Sequence, residues 1–300
     1  MRPTRRHFLV IAASAASAAA LARWPERQWD WRGDALGAEA RIRLTGPRDA
    51  AEAAIAAITA EIDRLESVFS LHRPASDLAR LNARGRIAAP SRDLLTLLER
   101  ARHWTSRTEG AFDPAVQPLW QAALTGAGTE AALARVRGAR IATSPGVLQL
   151  SGGTALTLDG IAQGYIADRV ADLVLRHGFH APLIDTGEMR FTGEAPQTLR
   201  LPEGGETLRL TRCAAATSAP AAMRLPRGHH LFDPRSGLSP ELWRSVTVIA
   251  PEATDADALS TAFAVSPRAR IGDLVPPGTA VFAIDREGRL HRFGRAEGLA

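Results

Sequence analysis

A chain of 300 residues that is 45% apolar and 23% charged has the balance of a folded protein of up to about two domains, which excludes wholesale disorder. Its single cysteine, Cys213, excludes an intramolecular disulfide and any metal centre of several thiolates. The net charge is +5, but with no lysine present all 37 basic residues are arginines. Schiff-base chemistry is therefore out, and the scatter of arginines among Asp and Glu, without a basic run, argues against a nucleic-acid partner.

Residues 1–22 read as a cleaved export signal of the twin-arginine kind. Arg5-Arg6 precede a mostly alanine stretch from Phe8 to Leu21, which closes on the small-x-small pattern Ala20-Leu21-Ala22. The stretch is weaker than the roughly 20 strongly apolar residues of a membrane span. The expected mature chain, 23–300, is periplasmic and keeps no span. It opens on a polar lead holding Trp24, Trp29 and Trp31.

Alternation over Glu39–Leu44 predicts a strand. Ile55, Ile58, Ile62, Leu65 and Phe69 recur at three- and four-residue spacing, which predicts a helix over 49–69. Further helices are expected over 94–103, 129–135, 166–176 and 254–265. Thr254 reads as the N-cap of the last, with Asp257 in the capping-box position. Strands are expected at 147–150 and 155–158 around Gly152-Gly153, then at 181–184 and 245–250. A hairpin of 281–284 with 289–292 turns at Arg286-Glu287-Gly288. Strands and helices without strict alternation give an α+β fold.

Four places carry candidate chemistry. The segment Phe69-Ser70-Leu71-His72-Arg73-Pro74 through Asn82 reads either as a ligand-contacting loop or as a capped helix–loop–helix link. In Gly110-Ala111-Phe112-Asp113-Pro114 through Pro118-Leu119, two prolines bracket an extended segment, with Asp113 held extended by the following proline. That rigid backbone suits either a flat ring or a structural turn. The strand–turn–helix Leu158-Asp159-Gly160-Ile161-Ala162-Gln163-Gly164-Tyr165 offers free backbone N–H groups of the sort that attract phosphate, yet it is neither a Walker sequence nor a dinucleotide fingerprint. Finally, Asp257 and Thr261 share one helix face and supply hard oxygens suited to Mg²⁺, although a capping acid would stand at the same place. His229-His230 nearby suit acid–base work, phosphate positioning or a plain polar loop.

In this order and spacing the segments resemble the ApbE family, the FAD:protein FMN transferases. The likeness runs from about Gly33 to the C-terminal hairpin. It includes Phe69-Ser70, Arg73-Pro74, Ser76-Asp77-Leu78 and Leu81-Asn82, then Gly110–Pro114 with Pro118-Leu119, and Gly160–Tyr165. It continues through Ala216-Thr217-Ser218 and His230–Gly237, and ends with Val246–Pro251 leading to Ala256–Ala262. The resemblance implies an α+β fold of T-fold-related type, with FAD bound in a cleft between two subdomains. It implies Mg²⁺-dependent transfer of FMN from FAD to a threonine hydroxyl of an acceptor, a flavoprotein subunit of an electron-transport complex, with release of AMP.

Carried over by position, Asp257 and Thr261 resemble the metal ligands, with the Gly160 carbonyl and Ser260 completing the set. Ala111, Phe112 and Asp113 occupy the flavin- and adenine-contacting stretch. Leu36 stands where the family often has methionine, and His72 where it often has an aromatic residue. Thr157, Asp159 and Gln163 flank the ligand at the glycine turn. His230 is the candidate for phosphate positioning or base work, beside Asp257 as the second catalytic candidate.

The departures are specific. Thr157 replaces an acidic residue, Asp159 a small one, and Gln163 a lysine or glutamate. Asp185-Thr186-Gly187-Glu188 is one glycine short of the usual Gly-Gly-Asp. Ala219-Pro220 follows Thr217-Ser218 where glycine is expected, and Pro220 removes a backbone donor. They leave open an exported protein that binds or hydrolyses FAD without transfer, and an accessory protein that has lost flavin.

Overall fold

The computed structural model describes residues 28–151, 153–179, 183–202, 206–226 and 228–299. The expected signal segment and Trp24 lie outside the described residues. In chain order the helices are α1 (Arg48–Phe69), α2 (Asp77–Arg84), α3 (Arg92–Arg107), α4 (Gln117–Thr125), α5 (Thr129–Arg137), α6 (Ala162–Arg176), α7 (Ala253–Ala264) and α8 (Arg268–Leu274). The strands are β1 (Gln28–Ala35), β2 (Ala38–Thr45), β3 (Arg86–Ala88), β4 (Ile141–Ser144), β5 (Val147–Leu150), β6 (Leu183–Asp185), β7 (Met189–Phe191), β8 (Gln197–Arg200), β9 (Thr207–Leu210), β10 (Cys213–Ser218), β11 (Trp243–Ala250), β12 (Ala280–Asp285) and β13 (Leu290–Gly294).

An eight-stranded sheet runs β1-β2-β6-β7-β10-β11-β12-β13, with every neighbouring pair antiparallel. A smaller sheet, β3-β5-β4, and the β8–β9 hairpin stand apart from it. With its helices this is the expected α+β class. Helices α1, α6 and α7 join one large core, in which Ile58, Leu65, Ile166, Val170, Leu259 and Phe263 meet Ile42, Ile184, Val246 and Val248. Ala214 and Ala216 of β10 are fully buried in the same core, and their small side chains let α7 lie close to the strand. The opposite face keeps a separate cluster around Phe191, Leu210, Ile249 and Phe282.

Several expectations change. Trp29 and Trp31 belong to β1 rather than to a polar lead. The charged residues around them point outward, where Asp30 pairs with Arg43 of β2 at 2.8 Å, while the indoles alternate inward. Residues 155–158 are not a strand. Their backbone partners are a side chain and a loop: Asn82 of α2 brackets Leu156, accepting from its N–H and donating to its carbonyl, both at 2.8 Å, and Thr157 N–H donates to the Pro114 carbonyl. The hairpin partner of β5 is β4, across Pro145-Gly146. Asp113 is extended as expected, but the chain past it is not. Pro114–Val116 form a 3-10 turn and α4 starts at Gln117, because proline suits the first turn of a helix.

Thr254 does not cap α7, which begins at Ala253. The cap comes from α6. Asp168 accepts from the N–H groups of Ala253 and Thr254, each at 2.9 Å, and from the Thr254 hydroxyl at 2.6 Å. A carboxylate at a helix N-terminus satisfies donors that have no partner within the helix. Asp257 is thereby released from capping.

Candidate active site

The site is built at the α6–α7 junction. Gly164 lies inside the first turn of α6, where an added Cβ would stand 2.2 Å from the Ala253 carbonyl oxygen. Only glycine allows that approach, and it lets Gly164 N–H donate to Asp257 Oδ2 at 3.0 Å. One turn further along α7, Thr261 faces the start of the 160–164 turn. A Cβ on Gly160 would meet Thr261 Oγ1 at 2.7 Å. Gly160, Asp257 and Thr261 are thus brought together as the sequence suggested. Ser260 is fully buried, and its hydroxyl donates to the Asp257 carbonyl at 3.0 Å and meets Ser218 Oγ of β10 at 2.9 Å.

Electrostatically, this cluster is short of positive charge. Asp257 is buried, and desolvation raises its pKa above the carboxylate range. Gly164 N–H opposes the rise, and the charges of Asp159 and Asp168 add to it. Glu188, in the turn between β6 and β7, is buried too. Its pKa is pushed up first by desolvation and then by the Asp257 charge, against the Thr217 N–H that donates to Oε2. Neither carboxylate has an ion-pair partner among the described residues. The sequence marked Glu188 only as part of a shortened turn; its burial and its place beside Asp257 come from the fold.

Gln163 lies against Gly187, whose φ is +97°, and a Cβ there would meet Gln163 Nε2 at 2.9 Å. Thr186 donates its hydroxyl to the Gln163 carbonyl at 3.3 Å. The shortened turn and the substituted glutamine therefore touch each other. Thr217 Oγ1 and Thr247 Oγ1 meet at 2.9 Å on the adjoining strands, extending the row of hydroxyls across the sheet.

A second group lines the loops nearby. Asp159 keeps access to solvent although the protein crowds its carboxyl. Desolvation raises its carboxyl, while the Thr157 hydroxyl and the charges of His72 and His230 lower it, so both histidines stand near it. His72 is exposed, in the loop before α2, which Ser76 caps by accepting from Ala79 N–H at 3.0 Å. His230 is half-buried. Its Nδ1 lies 3.2 Å from the Met223 carbonyl, which requires the proton on Nδ1 and leaves Nε2 with a free lone pair in the neutral ring. Burial lowers its pKa below 6.5, against the Met223 carbonyl and Asp159. His229 is different. Fully buried, it places Nε2 3.2 Å from the Pro240 carbonyl and accepts from Leu231 N–H at Nδ1, so both nitrogens serve the fold.

Thr157 N–H ties the glycine turn to Pro114, next to Asp113. Asp113 Oδ1 accepts from Ala115 N–H at 2.8 Å, and burial raises its pKa. Ala111 and Phe112 are buried in the main core, so their side chains pack within the protein. Leu36 occupies the β1–β2 turn at φ +49°, with its N–H donated to Glu66 Oε1 at 2.9 Å.

The α6–α7 donors fit a hard divalent cation. Asp257, Thr261, Ser260 and the Gly160 carbonyl offer oxygen only, and the buried carboxylates lack a counter-charge. Mg²⁺ is held through one or two carboxylates plus water and ligand phosphates, whereas Zn²⁺ prefers imidazole and thiolate. Among the described residues no three His, Cys, Asp or Glu side chains are grouped to enclose a metal. No described helix is long and apolar enough to cross a membrane.

Comparison with known proteins identifies what this chain is similar to. The ApbE family model matches residues 36–282. The chain is 31% identical over 273 residues to the FAD:protein FMN transferase of Treponema pallidum, spanning 76% of this chain and 75% of that protein. It is 30% identical over 226 residues to the enzyme of the same name from Klebsiella pneumoniae, spanning 67% and 71%. Among solved structures, the ApbE protein of Thermotoga maritima superposes with a TM-score of 0.80 at 24% identity, covering 89% of this chain and 97% of that one. The apo form of the Pseudomonas stutzeri flavinyl transferase ApbE gives 0.77 at 22%, covering 91% and 97%, and at such identities the likeness is one of fold.

Proposed function

The chain belongs to the ApbE family, and from that premise we propose that it is a FAD:protein FMN transferase, moving FMN from FAD to a threonine hydroxyl of an acceptor protein. The observation that carries the reading is the oxygen cluster of Gly160, Asp257 and Thr261, with the buried carboxylate of Glu188 as a second acid near Asp257, in a chain of that family. Asp257, Thr261, Ser260 and the Gly160 carbonyl would hold Mg²⁺, which when bound neutralises a pyrophosphate and the charge that develops on it.

The reaction is a substitution at phosphorus. The threonine oxygen bonds to the FMN phosphorus, the bond from that phosphorus to the bridging oxygen breaks, and AMP leaves with that oxygen. The hydroxyl proton needs an acceptor, and we assign His230 Nε2, whose lone pair is kept available by the Nδ1 contact with Met223. Asp113, with the backbone of Ala111 and Phe112, would line the ring-binding part of a cleft shared with Leu36 and His72. Thr157, Asp159 and Gln163 would stand beside the phosphates. Arg5-Arg6 and the alanine-rich stretch support export to the periplasm, with a flavin-carrying subunit of an electron-transport complex as acceptor.

The test is direct. The full-length protein is incubated with FAD, Mg²⁺ and a threonine-bearing acceptor domain, with and without EDTA, and the acceptor is weighed by mass spectrometry. An FMN adduct that vanishes with EDTA is expected. FAD binding without an adduct would replace the transferase with a flavin-handling protein, and no FAD binding would remove flavin from its function.

A further inference from the structure

Beside the candidate site, an open cavity of about 300 Å³ is lined by Pro220, Ala221, Arg224, Glu241, Trp243, Arg244 and Arg286. Among the described residues, three arginines and one glutamate line its wall. Glu241 accepts Arg224 at 2.5 Å on one oxygen and lies 3.7 Å from Arg286 on the other, so one negative charge is divided between two arginines. Arg244 reaches the same wall and donates from Nε and Nη2 to the Arg286 carbonyl, at 3.0 and 2.7 Å. The floor is apolar: Trp243 is buried, with its indole N–H given to the Ser266 carbonyl.

Two of the exposed large apolar side chains, Met223 and Leu242, are the chain neighbours of the lining residues Arg224 and Trp243. Lone exposed apolar residues need no explanation, but a group beside a charged pocket marks an interaction surface. The place is also close to the chemistry. Pro220 follows Ser218, the partner of Ser260, by two residues, and the Met223 carbonyl fixes His230. Trp243 begins β11 three residues before Val246, which pairs with Ser218, a span of roughly 10 Å along a strand.

We propose that this basic cavity and its apolar rim are the docking surface for an acidic, apolar-flanked segment of the acceptor protein. The proposal rests on the transferase reading, because it supplies the second substrate of that reaction. Its volume lies at the lower limit of small-molecule pockets, enough for one or two carboxylate side chains and too small for a dinucleotide. Charge complementarity of this kind steers encounter and fixes register, and its signature is a salt-dependent rate of association.

The experiment uses the full-length protein with charge reversals at two exposed positions, R224E and R286E together, and separately E241Q, which removes the carboxylate shared by Arg224 and Arg286. The acceptor KM, the FAD KM and kcat are measured at low and high salt. R224E/R286E is expected to raise the acceptor KM on the order of tenfold, to flatten its salt dependence and to leave the FAD KM unchanged. E241Q frees Arg224 and Arg286 and is expected to lower the acceptor KM, a gain that damage to the fold would not produce. An unchanged acceptor KM in both variants overturns the proposal, as does an effect confined to the FAD KM, which would make the cavity a nucleotide-phosphate contact. If the wild-type protein transfers no FMN, the transferase reading fails by itself. Titration of the labelled acceptor domain then decides the docking surface: binding weakened by R224E/R286E supports it, and no binding to wild type overturns it.

Discussion

At the α6–α7 junction an added Cβ on Gly164 would stand 2.2 Å from a backbone oxygen, whereas at the β1–β2 turn Gly37 has nothing within 4 Å of the same added atom. Both places carry residues assigned to ligand binding, and they solve the problem of placement differently. The junction fixes Asp257 and Thr261 by close packing of two helices, with the Asp168 cap and the Gly164 N–H as rigid ties. At the turn a backbone bond from Leu36 N–H to Glu66 sets the position, and in the loops His230 is held by one ring contact with the Met223 carbonyl. A charged cation needs oxygens at fixed distances, and a flat organic ring tolerates looser walls. The comparison therefore predicts steep losses at the junction and graded ones in the loops.

The largest effect is expected from Asp257→Ala. Turnover that depends on Mg²⁺ should fall by about 10³-fold or more, since the variant removes the only carboxylate among the assigned ligands. The fold should survive, because the one backbone hydrogen bond lost at Gly164 is offset by relief of the desolvation that Asp257 suffers on burial. Wild-type-like turnover with added Mg²⁺ would remove Asp257 from the metal site. Gly164→Ala probes the packing itself. Its Cβ must displace the Ala253 backbone, and a loss of about 3 kcal/mol in urea unfolding is expected, together with loss of activity. A stability within experimental error of wild type would show that the junction yields, and the contrast with the loops would disappear.

His230→Gln tests the loop side at its most chemical residue. A drop of about 10²-fold in kcat is expected for a lost general base. The pH profile is the sharper reading. His230 is held below 6.5 by burial, so Nε2 is unprotonated at neutral pH and protonates only as the pH falls through that lower value. Wild-type kcat should therefore decline on the acid side of 6.5, while the glutamine variant, lacking that titration, should lose this limb. An acid limb that persists in His230→Gln assigns the proton transfer to another group.

The junction was largely legible in the sequence, the loops only in part. Asp257 and Thr261 lie four apart in a helical pattern, so their shared face follows from the period alone, and Gly160 follows from the resemblance. Capping by Asp168 was not legible, because its partners lie 85 and 86 residues away, and local rules then gave that role to Thr254 and Asp257. The same limit hid Asn82, whose two bonds to Leu156 across 74 residues turn an apparent strand into a pinned extended segment. Glu188 was marked only as part of a shortened turn, because its burial is set by distant residues, Thr217 of β10 and Asp257 of α7. Nothing in His229-His230 as a sequence tells the structural ring from the one with a free nitrogen. Only the positions of the Pro240, Met223 and Leu231 backbones separate them.

The smallest effect is expected at Leu36, and it sharpens the comparison most. Leu36 is a non-glycine residue at φ +49°, a conformation that costs an L-residue roughly 1–2 kcal/mol. Its N–H is held by buried Glu66, which also pairs with Arg73, the residue after His72, so the turn and the His72 loop share one anchor. Glycine at 36 would relieve the strain and add chain entropy to the unfolded state, and the two nearly cancel, leaving a stability change under about 1 kcal/mol. The same change deletes the whole side chain from a half-buried position where the family often has methionine. If Leu36 covers the ligand, FAD affinity measured by fluorescence quenching should fall about threefold to tenfold in Leu36→Gly, and Leu36→Met should keep it. A variant that is equally stable and binds FAD as wild type does would mean that the strained turn serves the Glu66–Arg73 anchor alone, and the outer wall of the site would have to be sought at His72.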